Sequence, residues 1–159
     1  MTKLKMLLAA AALLATPALA QDEASYLDDR STPEAVITSY YNAIDRHEYA
    51  RAWSYYQDGE GAPAFDAFAK GYETTASVAV SFGQAAQEGA AGSTYYKQPV
   101  YLDVTNTDGS HAKFGGCYTL RLVQPANQVE PPFRPLHIVS GKLKRDRGEA
   151  NFAAARCEP

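Results

Sequence analysis

Apolar and polar positions recur along this chain with two different periods, and the change from one to the other divides it. In the first part the spacing is three and four. Ser31-Thr32-Pro33-Glu34 reads as a helix start: a hydroxyl cap, a proline at the first helical position, then an acid at the positive end of the dipole. Val36, Ile37, Tyr40, Tyr41 and Ile44 follow on one apolar face. Asp45-Arg46-His47-Glu48 interrupts that face, and Tyr49, Ala52, Trp53 and Tyr56 make a second. The spacing predicts two consecutive helices with a polar joint. Residues 57–63, with two glycines and a proline, read as a loop. Phe65 and Phe68 suit a third, short helix that Gly71 would end.

From Thr74 the period becomes two, as in strands with one buried face. Ala76, Val78, Val80 and Phe82 form the first row, and residues 87–92 read as a flexible turn region. Residues 94–104 carry Tyr96, Val100, Leu102 and Val104 on one face. Thr107-Asp108-Gly109-Ser110 is a hairpin turn, because Asp-Gly readily takes the positive backbone angles it needs. Residues 114–123 return with Phe114, Tyr118, Leu120 and Leu122 on a shared face. After a proline-bounded loop, residues 136–143 give the last strand. Three helices followed by a four-stranded antiparallel meander is an α+β layout, and no helix separates the strands as a parallel sheet requires.

The ends and the charge bound the class. Residues 1–20 have the three parts of a cleavable secretory signal: Lys3 and Lys5, an apolar stretch over residues 6–16, and Ala18-Leu19-Ala20 before Gln21. That stretch is too short to span a bilayer. Cleavage after Ala20 leaves 139 of the 159 residues, read as a loose acidic leader over 21–30 and a single domain over 31–159. Lys3 and Lys5 are two of the fifteen basic residues, so thirteen remain against eighteen acidic ones, a net charge of −5. An acidic product argues against nucleic acid and anionic membrane surfaces as partners. Cys117 and Cys157 are the two cysteines. In the oxidising compartment that a signal implies, periplasmic or extracellular, an isolated pair is expected to form a disulfide, with two buried free thiols as the alternative.

Residues 33–56, reading PEAVITSYYNAIDRHEYARAWSYY, resemble the opening of nuclear transport factor 2-like domains, as does the later Gly71-Tyr72 pair ahead of long hairpin strands. The likeness spans about residues 33–143. It implies a strongly bent sheet wrapped around the helices with a conical cavity between them, and a possible homodimer through the open sheet face. Gly116-Cys117-Tyr118-Thr119-Leu120-Arg121 with Pro131-Pro132-Phe133-Arg134-Pro135-Leu136 resembles an exported bacterial branch, which implies location and no chemistry.

The resemblance sets a test for candidate chemistry, since isomerases and dehydratases on that fold place acids, histidines or tyrosines inside the cone. The predicted inward rows here hold no carboxylate or histidine. Asp103 has the opposite parity, and His137 is out of phase with Leu136 and Ile138. No His or Cys spacing suits a metal, and no motif calls for a cofactor. The eleven tyrosines include the pairs Tyr40-Tyr41, Tyr55-Tyr56 and Tyr95-Tyr96. Each pair is expected to offer one buried ring and one nearer solvent. They read either as a wet-edged core or as the wall of an aromatic pocket for a small ligand. Lys142, Lys144, Arg145 and Arg147 read as a solvated strand edge that discourages strand addition, with an anionic partner as the alternative.

The first expectation is therefore an exported, non-catalytic domain that binds a small ligand or an envelope partner. Tyr41, Trp53, Tyr96 and Tyr118 are its candidate contact residues. The second is an isomerase- or dehydratase-type enzyme using Asp103 or His137 as base. The third is a structural or assembly module.

Overall fold

The computed structural model describes residues 24–57, 61–146 and 157. Residues 1–20, the proposed signal, and most of the tail, Arg147 included, lie outside the described residues. Helix α1 (Pro33–Asp45) begins where the capping pattern places it, with the Thr32 hydroxyl accepting from the Ala35 amide at 3.1 Å. It ends at the polar joint. There His47 takes a positive φ of 55°, and the Glu48 amide turns back to the Ala43 carbonyl. Two short helices follow, α2 (Tyr49–Trp53) and α3 (Phe65–Tyr72). The last runs through Gly71 rather than stopping there. The Glu73 amide still reaches the Lys70 carbonyl, so the turn closes one residue beyond the glycine.

The helices pack on a curved antiparallel sheet of five strands, one more than the four expected: β1 (Thr75–Phe82), β2 (Ala86–Ala90), β3 (Ser93–Asn106), β4 (His111–Val123) and β5 (His137–Arg145). The order is β1-β3-β4-β5, and β2 pairs with β3 beyond the end of β1. The additional strand, β2, falls mostly in the expected turn region. Its residues are all exposed and poor in strand formers, so no side-chain pattern marks it. It forms because β3 outruns β1, leaving backbone donors and acceptors that β2 satisfies from Lys97 to Ser93. The turn itself shrinks to Ala91 and Gly92, with φ of 46° and 75°, the signs that a two-residue hairpin demands. Pro99 sits in β3 opposite the gap between β1 and β2. Its missing N–H costs no ladder bond on that side, and its carbonyl accepts from the Gly83 amide at 2.9 Å.

Burial along β1 and β3 follows the expected parity, with Val78, Val100 and Leu102 inside. The tyrosine pairs do not behave as expected. Tyr40 and Tyr41 are both buried, and so are Tyr55 and Tyr56, while Tyr95 and Tyr96 are both half-buried. Adjacent helical residues differ by about 100° in direction, and here the buried stripe of α1 is wide enough for both. Tyr40 touches sheet, α3 and the α2 end at once, in edge-to-face contact with Tyr41, Tyr55, Tyr56, Phe68, Tyr72 and Tyr118.

Residues 24–30 have no regular structure but are not loose. The Leu27 amide donates to Asn42 Oδ1 at 3.0 Å and the Asp29 amide to Ser39 Oγ at 2.8 Å, which straps the segment across α1. Cys117 and Cys157 form a disulfide with Cα atoms 5.1 Å apart, tying the chain's end to β4. Among the described residues, no helix is long and apolar enough to cross a membrane.

Candidate ligand-binding cavity

Between the helices and the inner face of the sheet lies a cavity of about 690 Å³. Tyr40 and Tyr41 reach it from α1, and Phe68 and Tyr72 from α3. The alternating rows supply the opposite wall: Val78 from β1, Leu102 and Val104 from β3, Phe114 and Tyr118 from β4. Ala67 and Gly71, one helical turn apart on α3, are both exposed and both border the space. A Cβ on Gly71 would meet nothing within 4 Å. No steric demand explains glycine at that helical position, where it costs about 1 kcal/mol relative to alanine. Its effect is to leave the wall of the cavity thin.

The floor is built of tyrosine hydroxyls. Tyr41 and Tyr118 are joined at 2.6 Å, and Tyr40 and Tyr72 at 2.8 Å. Tyr72 also interacts with Tyr41, and Tyr56 with Tyr40, so five hydroxyls form one connected group. The Tyr118 ring lies directly on β5, where a Cβ on Gly141 would sit 2.5 Å from Cε1. Gly141 is its cross-strand partner, so the glycine makes room for the ring. Burial, reinforced by neighbouring tyrosines, pushes Tyr40, Tyr41 and Tyr118 well above the ordinary tyrosine range, and Tyr56 up to about 12. At neutral pH all remain protonated, and they act as hydrogen-bonding groups rather than bases.

Of the four contact residues expected from sequence, the fold brings Tyr41 and Tyr118 together at the floor. Trp53 and Tyr96 do not line the cavity. The Trp53 indole Nε1 donates to the Pro63 carbonyl at 3.1 Å, and its ring meets Phe65 edge-on. Tyr96 lies in the half of β3 that pairs with β2, opposite Gln87 and Leu120. Asp103 and His137 do not line the cavity either. Asp103 points to the other face of β3, 3.9 Å from both Lys113 Nζ and His111 Nδ1. His137 is buried at the start of β5 with Nδ1 2.9 Å from the Pro135 carbonyl. The Gln57 amide, turned to suit its neighbours, donates to His137 Nε2 at 3.1 Å.

The lining residues that sequence reasoning missed include Tyr40, Tyr56, Tyr72 and Arg145. Arg145 was legible in part. It follows Leu143 by two, so it shares the inward parity of β5 and leaves the basic cluster to which composition assigned it. A further surprise lies outside the cavity. Asp45, at the end of α1, accepts from the Val78 amide at 2.9 Å, and burial pushes its carboxyl up to about 6. Among the described residues, no three His, Cys, Asp or Glu side chains are grouped to hold a metal.

No protein-family model matches the chain, and no curated protein matches it in sequence. Among solved structures it is similar to Aln2 from a Streptomyces species. The identity is 13% and the TM-score 0.44, over 74% of this chain and 94% of that one. A likeness at that level carries no argument about ligand or chemistry.

Proposed function

We propose that this chain is an exported binding domain of the nuclear transport factor 2-like kind, holding a small organic ligand in the tyrosine-floored cavity without transforming it. The observation that carries the reading is the cavity itself. Its size falls in the range of small-molecule sites, about 300–1,000 Å³, and its walls combine apolar and aromatic surface with a few polar groups. The described lining offers hydroxyls, one amide and one guanidinium, an inventory suited to recognition. Export is supported by the Cys117–Cys157 bond and by the signal-like residues 1–20.

The test uses N-phenyl-1-naphthylamine, a neutral aromatic probe that fluoresces in apolar surroundings. The purified, oxidised protein is expected to bind it saturably. Ala67→Trp and Gly71→Leu, which place bulk into the opening, are expected to weaken it about tenfold or more. No saturable binding, or equal binding in both variants, would remove the ligand reading and leave a protein-contact role. Protein recovered from the cell envelope is expected to begin at Gln21 and to gain two hydrogens in mass on reduction.

A further inference from the structure

The cavity has a second polar pole that the tyrosines do not explain. Along β5, Gly141, Leu143 and Arg145 line the space, while Lys142 and Lys144 alternate away from it. The register places Gly141 opposite Tyr118 and Arg145 opposite Phe114. Four residues of strand therefore separate the backbone beside the Tyr118 ring from that of Arg145, about 13 Å between their Cα atoms. Between the poles the wall is apolar, made by Leu143, Phe114, Leu102 and Val104. Arg145 is the one charged residue in the described lining, and no described carboxylate lies within ion-pair distance of it. It is exposed, so it stands at the mouth and keeps its hydration until something displaces it.

We propose that the cavity takes an amphipathic monocarboxylate, with the carboxylate on Arg145 and the apolar body running along Phe114 and Leu143 toward Tyr41 and Tyr118. The inference rests on the cavity being a ligand site and names the class of ligand. A planar guanidinium presents a fork of donors that matches a carboxylate with two parallel hydrogen bonds. An ammonium head would be repelled there, and a neutral hydroxyl would gain only what water already supplies. The tyrosine hydroxyls, already bonded to one another, tolerate an apolar tail end without being left unpaired. The chain's acidic net charge does not forbid an anion, because distant charges are screened beyond about 10 Å.

The experiment displaces N-phenyl-1-naphthylamine from the purified protein with decanoate, 1-decanol or decylamine, three molecules of equal tail and different head. Decanoate is expected to compete at concentrations about tenfold lower than the other two. Arg145→Gln is expected to weaken decanoate about tenfold and to change decanol by less than about twofold. Lys144→Gln removes the same charge one residue away on the opposite side of the strand, and is expected to leave decanoate unchanged. Equal loss in both variants would replace the specific contact by diffuse attraction, and overturn the proposal. If decanol competes as well as decanoate, the carboxylate preference fails while the cavity reading survives. If the probe never binds, both fail together.

Discussion

Tyr55 and the Tyr41–Tyr118 pair are all buried, yet they belong to two different kinds of neighbourhood. Tyr55 faces the strap before α1. Its hydroxyl donates to Asp28 Oδ1 at 2.7 Å, and the Arg30 guanidinium lies over its ring, 4.1 Å from the centroid. Arg30 also pairs with Asp28 at 3.3 Å, so every polar group there is committed to another part of the chain. Tyr41 and Tyr118 instead bond to each other and border open space. A buried tyrosine can thus be a clasp or part of a wall. Its partner, rather than its burial, decides which.

The largest expected effect tests the wall. Burial keeps its hydroxyls neutral in the folded state, whereas the unfolded chain ionises near pH 10. Stability is therefore fully present below pH 10 and is lost as pH rises through the folded values. Tyr56 alone, raised to about 12, accounts for about 2–3 kcal/mol of that loss. Denaturation midpoints measured between pH 8 and 12 would show it, and a flat profile would contradict the buried hydroxyl group. Gly141→Ala comes next. Its Cβ would drive the Tyr118 ring off β5 and part it from Tyr41, at about 1–3 kcal/mol in denaturant melts, with loss of probe binding.

On the clasp side, Tyr55→Phe removes a hydrogen bond to a charged partner, about 1–2 kcal/mol in the same melts, and should leave probe binding unchanged. The carboxyl of Asp28 is partly desolvated, yet its bonds to Tyr55 and Arg30 hold it below the usual range. Its contribution is thus present above about pH 4 and fades as pH falls through the lowered value, so the gap between wild type and Tyr55→Phe should narrow in acid. Equal losses of probe binding in Tyr55→Phe and Gly141→Ala would erase the distinction between the two regions. The smallest effect concerns α3, where Gly71→Ala should stabilise by about 0.5–1 kcal/mol while narrowing the mouth.

Much of the scaffold is readable from spacing alone. The Thr32 cap, the α1 stripe, the Asp108-Gly109 turn and the inward parity of Val78, Leu102 and Tyr118 all follow from local periodicity. Local rules failed where the deciding interaction was not local. β2 has no pattern because its exposed residues contribute only backbone, and its formation depends on the free edge of β3. Residues 24–30 read as loose because their partners, Ser39 and Asn42, lie more than nine positions away.

The amino-acid order by itself determined which side chains share a face, where the chain turns and which two cysteines were available to join. It did not determine how far apart two faces stand. Whether Tyr41 and Tyr118 meet over a hollow or within solid packing depends on small residues at Ala67, Gly71 and Gly141, drawn from two elements distant in sequence. Nor did it assign Arg145 to that hollow, since an arginine beside lysines looks like any solvated edge until β5 is laid against β4. Periodicity fixes direction, but enclosure depends on the spacing between elements, which is set only when helices and sheet pack together.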